Sequence, residues 1–237
     1  MSQAFDPSSI LIMKQQAAQA AVEFVQSGMH LGLGSGSTTR IFVDLLGQRF
    51  QSGLYHDLTA VCTSQKTAGQ ASAYGIPLSN LTDHPVLDLA VDGADEVDPN
   101  LNLIKGLGRA LLREKVVEIH ARRFVVIVDE RKLTDRLGAL GPLPVEILPF
   151  ESGSHIAWLN TLGCRAELLI EEGAPVMTDN GNYLAHCWFP GGISDPAALA
   201  RLLADRPGIL EHGLFLNMAS QVIVAGPSGV RTLERRG

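Results

Sequence analysis

Cysteine is scarce in this chain, with only Cys62, Cys164 and Cys187 in 237 residues. The three lie far apart, their number is odd, and no CxxC or Cys/His metal spacing occurs. Neither a disulfide framework nor a structural zinc site is expected, and reduced thiols in a cytoplasmic protein fit that usage. No apolar run is long enough to cross a membrane. The opening Met1-Ser-Gln-Ala-Phe-Asp-Pro7 lacks the basic and apolar regions of a signal peptide, so a cytoplasmic location is expected. Basic residues are not in excess. The formal net charge is −6, so nucleic acid is not an expected partner, and mild acidity serves solubility. The seven histidines show no HExxH or similar pattern, so no metal site is predicted. Internal repeats and low-complexity tracts are absent as well.

What is present is enough apolar material for a core. At 46% hydrophobic content, the length suits one large domain or two modest ones. Residues 10–26 read as a helix, because Ile10, Met13, Ala17, Ala20, Ala21, Phe24 and Val25 recur at helical spacing and Gly28 supplies a stop. Residues 30–33, 58–62, 86–91 and 124–128 read as strands, with helices at 40–50, 67–74 and 110–122 between them. Strands alternating with helices predict an α/β fold, a Rossmann-like and mainly parallel sheet with helices on both faces. The loops after those strands (34–38, 63–67, 92–95 and 129–132) then lie along one sheet edge, where such folds bind ligands.

The pattern changes at Gly141-Pro-Leu-Pro144 and Pro149, which punctuate the chain. A helix over 154–162, a strand over 166–170 and a strand over 183–189 follow. Asn180-Gly181 between strand-like runs signals a hairpin. Asp195-Pro-Ala opens a helix to about residue 204. Residues 213–225 read as strand material returning to the first sheet. The expected division is a Rossmann-like catalytic domain of 1–142 and 214–237, with a smaller α+β (ferredoxin-like) domain of 143–213.

The chemistry concentrates in Asp92-Gly-Ala-Asp95-Glu-Val-Asp98 and Lys105-Gly-Leu-Gly108-Arg-Ala-Leu-Leu-Arg-Glu114-Lys115. Packing a core does not require two aspartates, a lysine and a glutamate there, whereas proton transfer on a sugar uses all four. Asp92 follows an apolar run directly, and partial desolvation of a carboxylate suits acid/base work. Lys105 is placed to stabilise a developing oxyanion. Glu114 has no distinction from sequence alone, since charged helix residues usually face water. Gly32-Leu-Gly34-Ser-Gly36-Ser-Thr38 offers hydroxyls and backbone N–H groups before a helix, which suits a phosphate dianion. It lacks the Gly-Lys-Ser/Thr of a P-loop, and Ser37 stands where a dinucleotide fingerprint needs glycine, so NAD is disfavoured. Lys132, and more weakly Lys14, are candidate phosphate partners.

Taken in order, GLGSGSTTR, TSQKTAGQ, DGADEVD, KGLGRALLREK, VDERK, LPVEI and TDNGN resemble ribose-5-phosphate isomerase, type A, over nearly the whole chain. Each motif alone is weak, and the ordered set is specific. The resemblance implies reversible interconversion of D-ribose 5-phosphate and D-ribulose 5-phosphate through an enediolate, in the non-oxidative pentose phosphate pathway, without metal or other cofactor. It implies Glu114 as general base, Asp92 as the group that opens the sugar ring, and Lys105 as the stabiliser of the enediolate, with Asp95 holding hydroxyls or orienting Lys105. Ser35, Gly36, Ser37, Thr38, Lys132 and Lys14 would hold the phosphate. Gly93, Ala94, Gly106, Leu107 and Gly108 would line the substrate. A homodimer, or a dimer of dimers forming a homotetramer, is implied too. There are departures from the family pattern. Leu107 stands in a glycine-rich turn, where a positive φ would cost it more than glycine; Ser35 replaces a threonine; Lys66 adds a charge. Two other classes compete: a sugar-phosphate sensor that keeps the phosphate loop without the base, and an acyl-CoA transferase with Glu114 as nucleophile.

Overall fold

The computed structural model describes residues 6–235. In chain order the elements are α1 (Pro7–Val22), β1 (His30–Leu33), α2 (Ser37–Gln51), β2 (Thr59–Cys62), α3 (Gln65–Ala73), β3 (Leu89–Asp92), β4 (Glu96–Val97), β5 (Leu103–Ile104), α4 (Leu111–Glu118), β6 (Phe124–Asp129), β7 (Leu143–Ile147) and α5 (Ser152–Leu159). There follow β8 (Arg165–Leu168), β9 (Ile170–Glu171), β10 (Ala174–Pro175), β11 (Tyr183–Trp188), α6 (Pro196–Ala204), β12 (Ile209–His212), β13 (Leu214–Phe215), β14 (Gln221–Gly226) and β15 (Gly229–Glu234). Among the described residues no helix is long and apolar enough to cross a membrane. The chain forms two compact units. One holds the chain as far as Gly93, Val116–Arg131, and Ala219 onward; the other holds Ala94–Lys115 and Lys132–Met218.

The first unit is built on a six-stranded sheet in the order β15-β14-β6-β3-β1-β2. Every pair is parallel except the β14–β15 hairpin. Counted in chain order, its parallel strands run 2-1-3-4-5, an open doubly wound order whose direction of winding reverses between β1 and β3. Side chains alternate across the sheet. Leu31, Leu33, Leu89, Val91, Val125 and Ile127 face a core shared with Ala17 and Ala21 of α1 and Phe42 and Leu46 of α2. The intervening positions face the other way. A Cβ on Gly32 would lie 2.9 Å from Val117 at the end of α4, which packs with Val61 and Leu87. Both faces are therefore covered, and a parallel sheet of this kind needs that.

Several boundaries move for local reasons. The first helix starts at Pro7 rather than at residue 10, because Asp6 caps the backbone N–H groups of Ser8 and Ser9 and proline occupies the first turn. The strand expected over 86–91 covers Leu89–Asp92, so Asp92 belongs to the strand, paired with Val126 of β6. The helix expected to reach 122 ends at Glu118, where His120 and Ala121 turn back to the carbonyls of Val117 and Glu118.

The second unit contains the sequence β7-α5-β8-β11-α6-β12, and these strands form an antiparallel sheet in the order β12-β7-β11-β8. Renumbered one to four, that order is 4-1-3-2, the ferredoxin-like arrangement of a βαββαβ chain. Val145, Ile147, Ala185 and Cys187 pack with Leu159 of α5 and Leu199 and Leu203 of α6. The Asp195 side chain caps α6 by accepting from the Ala198 N–H, as the Asp-Pro pair predicts. Pro144, read from sequence as punctuation, lies inside β7. The stretch 213–225 is divided: β13 joins a short sheet with β5 and β4, and β14 joins the parallel sheet.

Candidate active site

In the first unit the polar groups gather where β1 and β3 end side by side. Gly34 donates its N–H to the carbonyl of Val91 at 3.0 Å, and a Cβ there would fall 1.9 Å from the carboxyl carbon of Asp92. Only glycine lets these two strand ends approach so closely. Asp92 is fully buried, and its Oδ1 accepts from the N–H of Ser35 at 3.0 Å, the hydroxyl of Thr39 at 2.9 Å and the N–H of Gly93 at 2.7 Å. The acid at the end of the buried strand is thereby fixed to the loop after β1.

That loop is held from its other side by hydroxyls. Ser35 Oγ lies 2.7 Å from Thr63 Oγ1, 2.7 Å from Ser64 Oγ and 3.2 Å from Thr67 Oγ1. Thr67 in turn donates to the carbonyl of Gly34 at 2.9 Å. The loop therefore enters α2 in one conformation, with Gly36 at φ +131° and Gly36 and Ser37 exposed at the helix N-terminus, while Thr38 is buried. Lys14 reaches across from α1 and donates to Ser37 Oγ at 2.8 Å. A lysine and the first turn of a helix then present positive charge and N–H groups together, an arrangement suited to a phosphate. Neighbouring Cys62 is no competing nucleophile, since burial pushes its thiol up to about 12.

In the second unit the remaining candidates form a second group. Lys105 and Glu114 are both almost fully buried, with Nζ to Oε2 at 3.5 Å. Backbone geometry brings them together: Lys105 ends the short sheet, donating its N–H to Gly213, and Glu114 lies in the first turn of α4, donating its N–H to Ala110. Asp95 accepts the Leu107 N–H on Oδ2 at 2.9 Å and has Lys132 Nζ 4.0 Å from Oδ1. It thus holds the 106–108 turn beside the lysine. The left-handed residues of that turn are Gly106 (φ +111°) and Arg109 (φ +71°). Leu107, for which strain was expected, is not among them. Gly108 is exposed and Ala94 half-buried.

The aromatic ring of Phe215 supports this group, with its centroid 5.4 Å from Lys105 Nζ and 4.6 Å from Lys115 Nζ. Lys115 also donates to Glu211 Oε1 and to the carbonyl of His212, both at 2.7 Å. His212 is pushed down to about 4, first by burial and then by the Lys115 ammonium. Lys115 and the Leu214 N–H both point at its Nδ1, so that nitrogen accepts and the ring is neutral.

The structure also separates acids that the sequence runs together. Glu96, inside DGADEVD, is buried and accepts the N–H groups of Gly138, Leu140 and Gly141 at 2.7, 2.9 and 2.8 Å. Asp98 accepts those of Asn100 and Asn102. Both close loops. Thr39, Ser64, Thr67 and Phe215 are supports that sequence reasoning missed; Thr39 lies inside the glycine-rich motif, but nothing in that motif marked its partner as Asp92. Among the described residues no group of three or more His, Cys, Asp or Glu side chains is placed to hold a metal ion.

Comparison with known proteins places this geometry in a family. The family described as Ribose 5-phosphate isomerase A (phosphoriboisomerase A) matches residues 59–229. The chain is 48% identical over 226 residues to a ribose-5-phosphate isomerase A of Synechococcus sp. (strain JA-3-3Ab), covering 94% of this chain and 97% of that one. It is 47% identical over 225 residues to a probable ribose-5-phosphate isomerase 2 of Arabidopsis thaliana, covering 92% and 85%. Its fold matches a solved D-ribose-5-phosphate isomerase in complex with phospho-erythronic acid at a TM-score of 0.92 and 43% identity, over 95% of this chain and 99% of the other.

Proposed function

The chain belongs to the ribose 5-phosphate isomerase A family, and from that premise we propose that it interconverts D-ribose 5-phosphate and D-ribulose 5-phosphate by proton transfer through an enediolate. The observation that carries the mechanism is the buried Lys105–Glu114 pair, 3.5 Å apart. The C2 proton of an aldose is a weak acid, so its removal needs a positioned base together with a fixed charge for the oxyanion that forms. Glu114 takes the proton from C2 and returns it to C1, the C2 hydroxyl proton passes to the C1 oxygen, and the Lys105 ammonium faces the enediolate oxygen that forms between these transfers. Asp95 holds the 106–108 turn and orients the sugar hydroxyls along it. The bound ligand of the solved relative fits this reading, since phospho-erythronic acid is a phosphorylated acid whose planar carboxylate resembles a planar enediolate.

Asp92 is assigned to ring opening, moving a proton between the anomeric hydroxyl and the ring oxygen before isomerisation begins. Ser35, Gly36, Ser37 and Thr38, with Lys14 and Lys132, are assigned to the phosphate, which anchors the sugar by groups remote from C1 and C2. Gly93, Ala94, Gly106, Leu107 and Gly108 are assigned to the walls. No step of this scheme calls on a metal. The family resemblance also supports a homodimer or a dimer of dimers, a cytoplasmic location, a place in the non-oxidative pentose phosphate pathway, and lid and dimerisation roles for residues 143–213.

The test is to incubate EDTA-treated protein with ribose 5-phosphate in D₂O and follow the products by NMR. Ribulose 5-phosphate carrying deuterium at C1 is the expected product. Ribulose 5-phosphate formed only with added metal, or binding of the sugar without any turnover, overturns the scheme.

A further inference from the structure

Two motifs, LPVEI and TDNGN, take no part in the catalytic and phosphate-binding roles above, and the structure joins them. Glu146 lies in the interior of β7 with no exposed surface. Its Oε1 accepts from Thr178 Oγ1 at 2.9 Å, Asn180 Nδ2 at 3.0 Å and Asn182 Nδ2 at 2.9 Å, while its Oε2 is buried without a hydrogen-bond partner among the described residues. Burying a carboxylate among neutral donors is a poor source of stability, because desolvation of the charge opposes it. What Glu146 does achieve is geometric: one oxygen gathers three side chains of a single turn.

The other side of the same turn faces Arg113. Arg113 Nε donates to Asn180 Oδ1 at 2.7 Å, and its two terminal nitrogens reach Asp179 Oδ2 at 3.3 Å and the Asp179 carbonyl at 2.8 Å. Asn180 is thus oriented from both ends, giving its N–H to Glu146 and its oxygen to Arg113. Arg113 is the residue before Glu114 in the first turn of α4. All of these groups lie in one compact unit. We propose that Glu146 is a positioning residue for Glu114, acting through the 178–182 turn and the guanidinium of Arg113 to fix where the first turn of α4 places the base. This rests on Glu114 being that base.

The test compares the steady-state kinetics and thermal midpoints of Arg113→Met, Asn180→Ala and Glu146→Gln, with Glu114→Gln as reference. Arg113→Met and Asn180→Ala are expected to lower kcat about tenfold with KM within about twofold, since small misplacement of a catalytic group acts on the chemical step. Arg113→Lys regains part of the lost kcat, because an ammonium still reaches the Asp179 carbonyl. The Arg113→Met/Asn180→Ala double variant is no slower than the worse single, as expected for one relay. Glu146→Gln falls in the same direction; if it does not fold, the variants at half-buried Arg113 and exposed Asn180 decide. Unchanged kcat in Arg113→Met and Asn180→Ala, multiplying losses in the double variant, or a loss that appears in KM alone overturns the relay. Activity retained in Glu114→Gln overturns the base assignment instead, so the two failures are distinct.

Discussion

Asp92 and Glu114 are both buried carboxylates, and their surroundings are unlike. One oxygen of Asp92 receives two backbone N–H groups and a hydroxyl, from Ser35, Gly93 and Thr39. Glu114 faces the ammonium of Lys105 across 3.5 Å. Backbone donors cannot move independently of the fold, so the first environment locks a loop to a strand. A side-chain cation can meet whichever anion forms beside it, carboxylate or enolate, so the second environment suits charge that shifts during a reaction. Glu96 extends the contrast, for three backbone N–H groups make it a loop brace. The lesson is that in this chain the partner, more than burial, separates Glu96, which only braces a loop, and Asp92, which its donors hold in place for the ring-opening proton, from Glu114, the base assigned to the C2 proton.

The sharpest way to break the comparison is to remove the cation. Lys105→Met keeps the length and burial of the side chain but leaves Glu114 without it. We expect kcat to fall about 10²- to 10³-fold, in line with removal of one preorganised oxyanion donor, and steady-state assay checks this. A tenfold loss or less would mean that the oxyanion is stabilised elsewhere. Next comes Gly34→Ala, whose new methyl would collide with Asp92. Because the atom it meets belongs to a side chain held by three hydrogen bonds, we expect destabilisation of about 3 kcal/mol, at the upper end for overpacking, read as a drop in the denaturant midpoint.

His212 tests the second unit through pH. Its native value is pushed down to about 4, against about 6.5 in an unfolded chain. Between those values the unfolded state binds a proton that the native state does not, so stability falls as pH falls from about 6.5 to about 4 and is unaffected by this group above that window. The expected loss is up to about 3 kcal/mol. Chemical denaturation at pH 7 and pH 4.5 measures it, and His212→Gln should flatten that part of the profile. The smallest effect is expected at Lys132, a third exposed and 4.0 Å from Asp95. Lys132→Ala should raise KM for the sugar phosphate about tenfold with kcat nearly unchanged, whereas a fall confined to kcat would remove it from the phosphate site.

Much of the frame was legible because it depends on periodicity and on short-range chemistry. Short apolar runs mark β3 and β6, and Asp195-Pro marks the start of α6. The sheet-edge rule led to the strand ends and loops at Gly34, Asp92 and Asp129. What stayed hidden depends on partners distant in sequence. DGADEVD offers four acids in seven positions, and nothing local says that Glu96 braces residues 138–141 while Asp92 meets Thr39. Pro144 reads as a breaker until β7 is seen to carry it between two strands. Asn180-Gly181 does reverse the chain, but the expected hairpin reduces to a single bridge between Met177 and Tyr183, since the turn is built around Glu146 instead of a ladder. Beside Gly106, the left-handed residue at the KGLG turn is Arg109, just past the motif, which propensity does not mark.

The most direct measurement of the central claim is made on Glu114→Gln. Exchange of the C2 proton of ribose 5-phosphate with D₂O is followed by NMR, and the dissociation constant of the sugar phosphate is determined on the same samples. The account predicts that exchange and isomerisation fall together by about 10³-fold, within the range for loss of a general base, while the dissociation constant stays within about threefold of the parent protein. Exchange that persists at near the parental rate with binding intact would contradict it, and would transfer the proton from Glu114 to another acid.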